Sequence, residues 1–185
     1  MVSSLAAAAT LRDWRPAAPG QASLREAFLG FLAARPDACL RSCEPGHLTA
    51  STVLLDHEGA RVLLTLHPRV GRWIQLGGHC EPGDGTLAEA ALREAGEESG
   101  IEGLHLEPEP LHLDVHPITC SLGVPTRHFD VRFVARAPAG AIERISAESD
   151  DLRWWPVDQL PSDTDTIPEL VHLARTRMSP RSGRR

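Results

Sequence analysis

Glu94, Glu97 and Glu98 fall within five consecutive residues, directly after Arg93. On a helix, spacings of three and four residues set all three carboxylates on one face. That face works against the helix carrying it. Like charges so placed cost about 0.2–0.5 kcal/mol per pair, and anionic side chains in a last turn meet the negative end of the helix dipole. An ordinary solvated face mixes lysine with glutamate, whereas here the nearby cation is Arg93. A bound divalent cation resolves the conflict, because Mg²⁺ or Mn²⁺ takes oxygen ligands, keeps several waters and bridges to substrate phosphates.

The elements that must position these groups can be read on either side. Thr86-Leu87-Ala88-Glu89 has the form of a capping box, so the helix starts there. Leu87, Ala91 and Ala95 form a stripe of small apolar residues that lets the helix lie close to a sheet, and Gly100 stands where a left-handed C-terminal cap is expected, ending the helix at about Ser99. Before the helix lies GGHCEPGDG, a glycine-rich loop able to present backbone carbonyls and N–H groups to a metal or a phosphate.

Loop and helix together resemble the Nudix box, G-x5-E-x7-R-E-U-x-E-E-x-G-U, where U is aliphatic. Arg93 through Ile101 agree with its second half at every defined position, with Ala95 as the small aliphatic residue. The first half departs twice: Asp84 stands where the family has Glu, and one extra residue, at Gly85, lengthens the loop without altering the helix register. Leu76 also replaces a proline that often precedes the paired glycines. The box covers about a seventh of the chain, and the flanking strands with the late WWPVDQLP extend the resemblance to most of residues 48–175.

The resemblance implies an α/β fold, a Nudix-type α/β/α sandwich around a mixed β-sheet. It also implies Mg²⁺- or Mn²⁺-dependent hydrolysis of a phosphoanhydride bond in a nucleoside diphosphate linked to another moiety, or in a related small diphosphate. Carried over residue by residue, Glu94, Glu97 and Glu98 become metal ligands with the Gly78 carbonyl, Arg93 orients the carboxylates, and Glu148, ahead of the last strand, is the candidate general base, with Glu143 second. Arg69 and Arg72 are candidates for the substrate's phosphate oxygens or else exposed hairpin arginines. His79 and His128 fit a site or a structural role, with the structural role preferred; Trp73 and Trp154 fit base stacking or the core, with the core preferred. Two other functions share the fold. One is a nucleotide sensor without catalysis, against which the intact Arg93, Glu94, Glu97 and Glu98 speak. The other, ranked last, is isomerisation of an isoprenoid diphosphate, which needs a well-placed acid and usually a reactive cysteine, for which only Cys80 or Cys120 offers itself.

The rest of the chain bounds these readings. Its 185 residues suit one domain of ordinary size, and the apolar runs are too short for a membrane span. A helix over about 23–40 carries Leu24, Phe28, Phe31 and Leu32 on one side and is expected to pack on the outside of the fold. Strands are expected at 48–56 and 60–68, forming a hairpin, then at WIQLGG, LHLDVHPIT, HFDVRFVARA and DLRWWP, with a closing helix in TIPELVHLARTRM. Domain limits of 21–178 follow, with a disordered leader at 1–20 and a basic flexible tail at 179–185. The net charge of −6 disfavours a long nucleic acid as principal partner, leaving a small phosphorylated substrate and a possible homodimer. Four scattered cysteines and the lack of a secretory signal place the chain in the cytoplasm. Cys39, Cys43 and His47 have a C-x3-C-x3-H spacing, but without a fourth ligand buried or idle thiols are preferred to zinc.

Overall fold

A computed structural model describes the chain apart from residues 69, 120–122, 147–148, 165 and 180–185, so the expected tail beyond Ser179 lies outside the described residues. Two helices, α1 (Ser4–Asp13) and α2 (Pro19–Ala34), precede a sheet built from β1 (His47–Leu55), β2 (Arg61–His67), β3 (Arg72–Ile74), β4 (Leu76–His79), β5 (His105–Leu106), β6 (His112–Thr119), β7 (Pro125–Arg136) and β8 (Asp151–Pro156). Helix α3 (Leu87–Ser99) follows β4, and α4 (Ile167–Met178) closes the chain. The sheet is mixed: β1 runs parallel to β7 and antiparallel to β2 and β4. No described helix is long and apolar enough to cross a membrane.

Strand β1 is buried along its whole length, and its alternation sorts the layers. Leu48, Ala50 and Leu54 face α1, α2 and α3, whereas Val53 and Leu55 pack with Ile167, Leu170, Val171 and Ala174 of α4. Helices on both faces of the mixed sheet give the expected α/β/α sandwich.

Three expectations need correction. The N-terminal segment is no disordered leader over its helical part: Ser3 caps α1, and Ala7, Ala8 and Leu11 are buried with Trp14 in the main core. Helix α2 begins and ends earlier than its apolar period suggests, with Pro19 at its start; it lies on the outside of the sheet as expected, with Phe28 and Leu32 buried beneath it and Phe31 stacked on Phe129 at 4.2 Å. The two helices bury each other's apolar residues on the sheet, a long-range event that alanine-rich local sequence does not announce. WIQLGG is two strands rather than one, because β3 pairs with β2 while β4 crosses to β1, with Gln75 at the break and its amide 3.3 Å from the Ser51 hydroxyl and the Asp130 carboxylate.

Candidate active site

Helix α3 forms where its capping chemistry predicts. The Thr86 hydroxyl accepts the Glu89 N–H at 3.1 Å, and the Glu89 carboxylate reaches back to the Gly85 N–H at 2.7 Å, one residue beyond the usual partner. Gly100 ends the helix in the left-handed region at φ 64°. Leu87, Ala91 and Ala95 are buried, and the Ala91 carbonyl accepts the Thr52 hydroxyl of β1, so the helix lies tightly on the sheet.

That close docking decides where the carboxylates go. Glu94 and Glu98 are only 8% and 5% exposed, while the Glu97 side chain keeps 61%. A Cβ on Gly78 would stand 2.6 Å from the Glu94 carboxylate, and one on Gly77 would stand 2.4 Å from Ser51. Gly77 is therefore required for β4 to pair with β1, and Gly78 leaves room for the Glu94 carboxylate beside the β4 backbone. Glu98 accepts the Gly77 N–H at 2.8 Å.

Arg93 clamps this end of the helix, donating to Glu94 at 3.0 Å, to Glu97 at 2.9 Å, to the His79 carbonyl at 2.8 Å, and bidentately to Asp84 at 3.0 Å on both oxygens. These bonds, Asp84's first, raise the guanidinium above its ordinary value against the opposing effect of burial. Burial alone would raise the Asp84 carboxyl, but Arg93 and the Glu81 N–H outweigh it and hold it below the usual carboxylate range. The longer loop and shorter acid thus still deliver the first acidic residue of the box, as an anchor for Arg93.

Glu94, Glu97 and Glu98 line one side of a cavity of about 480 Å³ together with Gly77, Gly78 and Glu81. The lining continues on β1, β6 and β7 through Thr49, Ser51, His116, His128 and Asp130, with Arg41 from the loop before β1. Asp130 is the hub of that floor: Thr49, Ser51 and Gln75 donate to it, and so does Arg132 at 3.0 Å. Sequence reasoning passed over Thr49, Ser51, Asp130 and Arg41. A signal existed, since His47-x-Thr49-x-Ser51 and His128-x-Asp130-x-Arg132 put polar residues at every second place in otherwise apolar strands.

The remaining candidates fall elsewhere. Arg72 is exposed on β3 and is absent from the cavity lining; Arg69, Glu148 and Cys120 lie outside the described residues. Glu143 accepts the Trp154 indole N–H at 2.9 Å and does not line the cavity either. Trp154 packs on one core cluster, and Trp73 meets Trp155 edge-to-face at 5.2 Å in another, so both fill the core as preferred. Cys39, Cys43 and Cys80 are buried free thiols. Burial, reinforced by Cys39, pushes the Cys80 thiol up to about 12, which makes it inert near neutrality.

The oxygen-only set of Glu94, Glu97, Glu98 and the Gly78 backbone, packed beside a polar cavity, fits a hard divalent cation. A NUDIX domain model matches residues 45–174. The chain belongs to the Nudix family. Its Nudix domain is similar in sequence to the NAD-capped RNA hydrolase NudC of Stutzerimonas stutzeri (strain A1501), with 31% identity over 133 residues, 69% of this chain and 42% of that protein. The chain therefore spans about two fifths of that relative's length. In structure it resembles a NUDIX-family hydrolase from Clostridium perfringens (TM-score 0.56, 21% identity, 71% of this chain and 97% of that one). A C. elegans Ap4A hydrolase gives a TM-score of 0.52 at 20% identity, over 70% of this chain and 96% of the other. At such identities these likenesses speak for the fold.

Proposed function

We propose that this Nudix protein hydrolyses a phosphoanhydride bond in a nucleoside diphosphate linked to another moiety, or in a related small diphosphate, with Mg²⁺ or Mn²⁺ held by Glu94, Glu98, Glu97 and the Gly78 carbonyl. The observation that carries the reading is the burial of two mutually repelling carboxylates, Glu94 and Glu98, at the edge of a polar cavity. A cation there neutralises phosphate charge and lowers the pKa of a bound water. The chain's own residues do the rest. Arg93 fixes the rotamers of Glu94 and Glu97, Asp84 fixes Arg93, and the Gly77 N–H fixes Glu98. Among the described cavity residues Arg41 offers a guanidinium to the substrate's phosphate oxygens. Glu148, just before β8 in the chain, is the proposed general base, and Arg69 a further phosphate contact.

A pure sensor would carry the repulsion of Glu94 and Glu98 with no return, and an isomerase would need a reactive thiol that Cys80 does not supply. The cell compartment that keeps such buried thiols reduced is the cytoplasm. The test is phosphate or nucleotide release from ADP-ribose, dinucleoside polyphosphates, NADH, nucleotide sugars and nucleoside triphosphates, with and without Mg²⁺ or Mn²⁺. NADH belongs in the panel because the name of the NudC relative points to an NAD-derived pyrophosphate. Metal-dependent release from at least one compound is expected. No turnover on any of them, with nucleotide-dependent thermal stabilisation retained, would replace hydrolysis by sensing.

A further inference from the structure

A second set of ligating side chains, which the carboxylate chemistry does not use, gathers at the same cavity. His79 on β4, His47 on β1 and His128 on β7 come from three neighbouring strands, where His47 pairs in register with His128 and His79 pairs with Thr49. One ring nitrogen from each histidine lies within 4.8 Å of the others, a convergence that no other described His, Cys, Asp or Glu triplet matches. The ring centroids are 5.0 Å apart for His47 and His79, 5.0 Å for His47 and His128, and 5.1 Å for His79 and His128.

Two details give this cluster the character of a ligand set. The Nε2 atoms of His47 and His79 face each other at 3.1 Å, while His47 Nδ1 sits 3.3 Å from the Cys43 carbonyl. A proton on Nδ1 donates to that carbonyl and leaves the His47 Nε2 lone pair pointing at His79, the arrangement by which backbone carbonyls orient metal-bound imidazoles. The spacing is close to the ~3.3 Å that separates two nitrogens bound at 2.0–2.1 Å to one tetrahedral ion. Independently, the Nε2 atom of His128 is buried without a hydrogen-bond partner, a costly state for a polar atom that a ligand would relieve.

We propose that His47, His79 and His128 form a binding site for one Zn²⁺ ion, separate from the hard-cation site on α3. Imidazole nitrogens select zinc and its transition-series neighbours, whereas an all-oxygen set selects Mg²⁺ or Mn²⁺, so one cavity sorts two cations by donor chemistry. Three protein ligands leave a fourth position of the tetrahedron. His79 and His128 line the cavity, so that position is available to water or to an anionic oxygen of a cavity ligand. The site stands on geometry alone and does not depend on the hydrolase reading.

The experiment is calorimetric titration of Zn²⁺ into the chelator-stripped full chain in excess Mg²⁺, with His79→Ala, His128→Ala and Glu98→Gln in parallel. The expected result is one equivalent of tightly bound Zn²⁺ in the natural chain and in Glu98→Gln, with affinity at least tenfold weaker in each histidine variant. Visible absorption of the Co²⁺-loaded natural chain keeps the proposal testable if a variant fails to fold: a nitrogen-ligated tetrahedral ion gives intense bands that excess Mg²⁺ leaves intact. Failure to bind Zn²⁺ saturably would overturn the site, as would binding that survives in both histidine variants and disappears in Glu98→Gln, or Co²⁺ bands characteristic of six oxygen ligands.

Discussion

The two groups of ligating side chains at the cavity are built in opposite ways. In one, three carboxylates sit within two turns of a single helix, and an arginine of that helix holds two of them. In the other, four imidazoles, His79, His47, His128 and His116, lie across β4, β1, β7 and β6, strands whose residues are up to 81 positions apart in register. Local geometry alone assembles the first group; only the completed sheet assembles the second. Acids gathered on one helix need a counter-charge in every conformation that keeps the helix, which is why Arg93 and Asp84 are attached to them. Neutral imidazoles need none, and burial disfavours the charged form of two of these, His47 and His128: desolvation, with His47 and His116 adding to it and Asp130 opposing, pushes His128 down to about 4.

The contrast can be broken from either side. The largest effect is expected for Glu98→Gln, which keeps an oxygen to accept the Gly77 N–H and removes the charge. Turnover should fall by at least about a hundredfold, because a divalent ion supplies several kcal/mol of charge stabilisation and 1.36 kcal/mol is a factor of ten. Steady-state rates at saturating Mg²⁺ read it, and an unchanged rate would remove Glu98 from the metal site.

Next comes the acid response of the imidazole side. In the metal-free protein His128 titrates at about 4 against an ordinary value of 6.5. The unfolded chain therefore binds this proton first. Stability is intact above pH 6.5 and falls by about 3 kcal/mol as the pH drops from 6.5 to 4. Urea unfolding at pH 7 and pH 4.5 should show the fall in the natural chain and a shallower one in His128→Asn; equal slopes would contradict the assignment.

Arg93→Ala sharpens the comparison on the carboxylate side. It strips the buried Asp84 of its ion pair, and a loss of about 2 kcal/mol in the unfolding free energy from urea titration is expected, moderated because Arg93 is itself partly exposed. Mg²⁺ affinity should weaken about 10–100-fold, as for other groups that orient metal ligands; unaltered affinity would reduce Arg93 to a surface clamp. The smallest change is expected from Thr86→Ala. Losing the cap of α3 should lower stability by about 1 kcal/mol with Zn²⁺ binding untouched, since no imidazole rides on that helix.

Much of this molecule was legible because its decisive features are local. The cap at Thr86, the small stripe of Leu87, Ala91 and Ala95, the left-handed Gly100 and the face shared by Glu94, Glu97 and Glu98 all follow from helical periodicity and backbone sterics, and the Nudix box sums them. Strand positions were legible from β-branched and apolar runs. Less local features escaped. Residues 4–13 resemble a low-complexity leader until Leu11 and Trp14 meet Phe28 and Leu32, and burial of that kind depends on a partner helix and a sheet face. WIQLGG looks continuous until β3 and β4 choose different partners.

By itself, then, the sequence determined the family, the α/β/α architecture and the carboxylate helix, because their causes act over one to four residues or along one strand. Tertiary structure alone decided that Asp84 anchors Arg93 despite the lengthened loop, that Arg41 rather than Arg72 lines the cavity, and that His47, His79 and His128 converge. Those outcomes depend on which strands pair and in what register, and hydrogen bonds between segments dozens of residues apart leave no periodic trace in either segment.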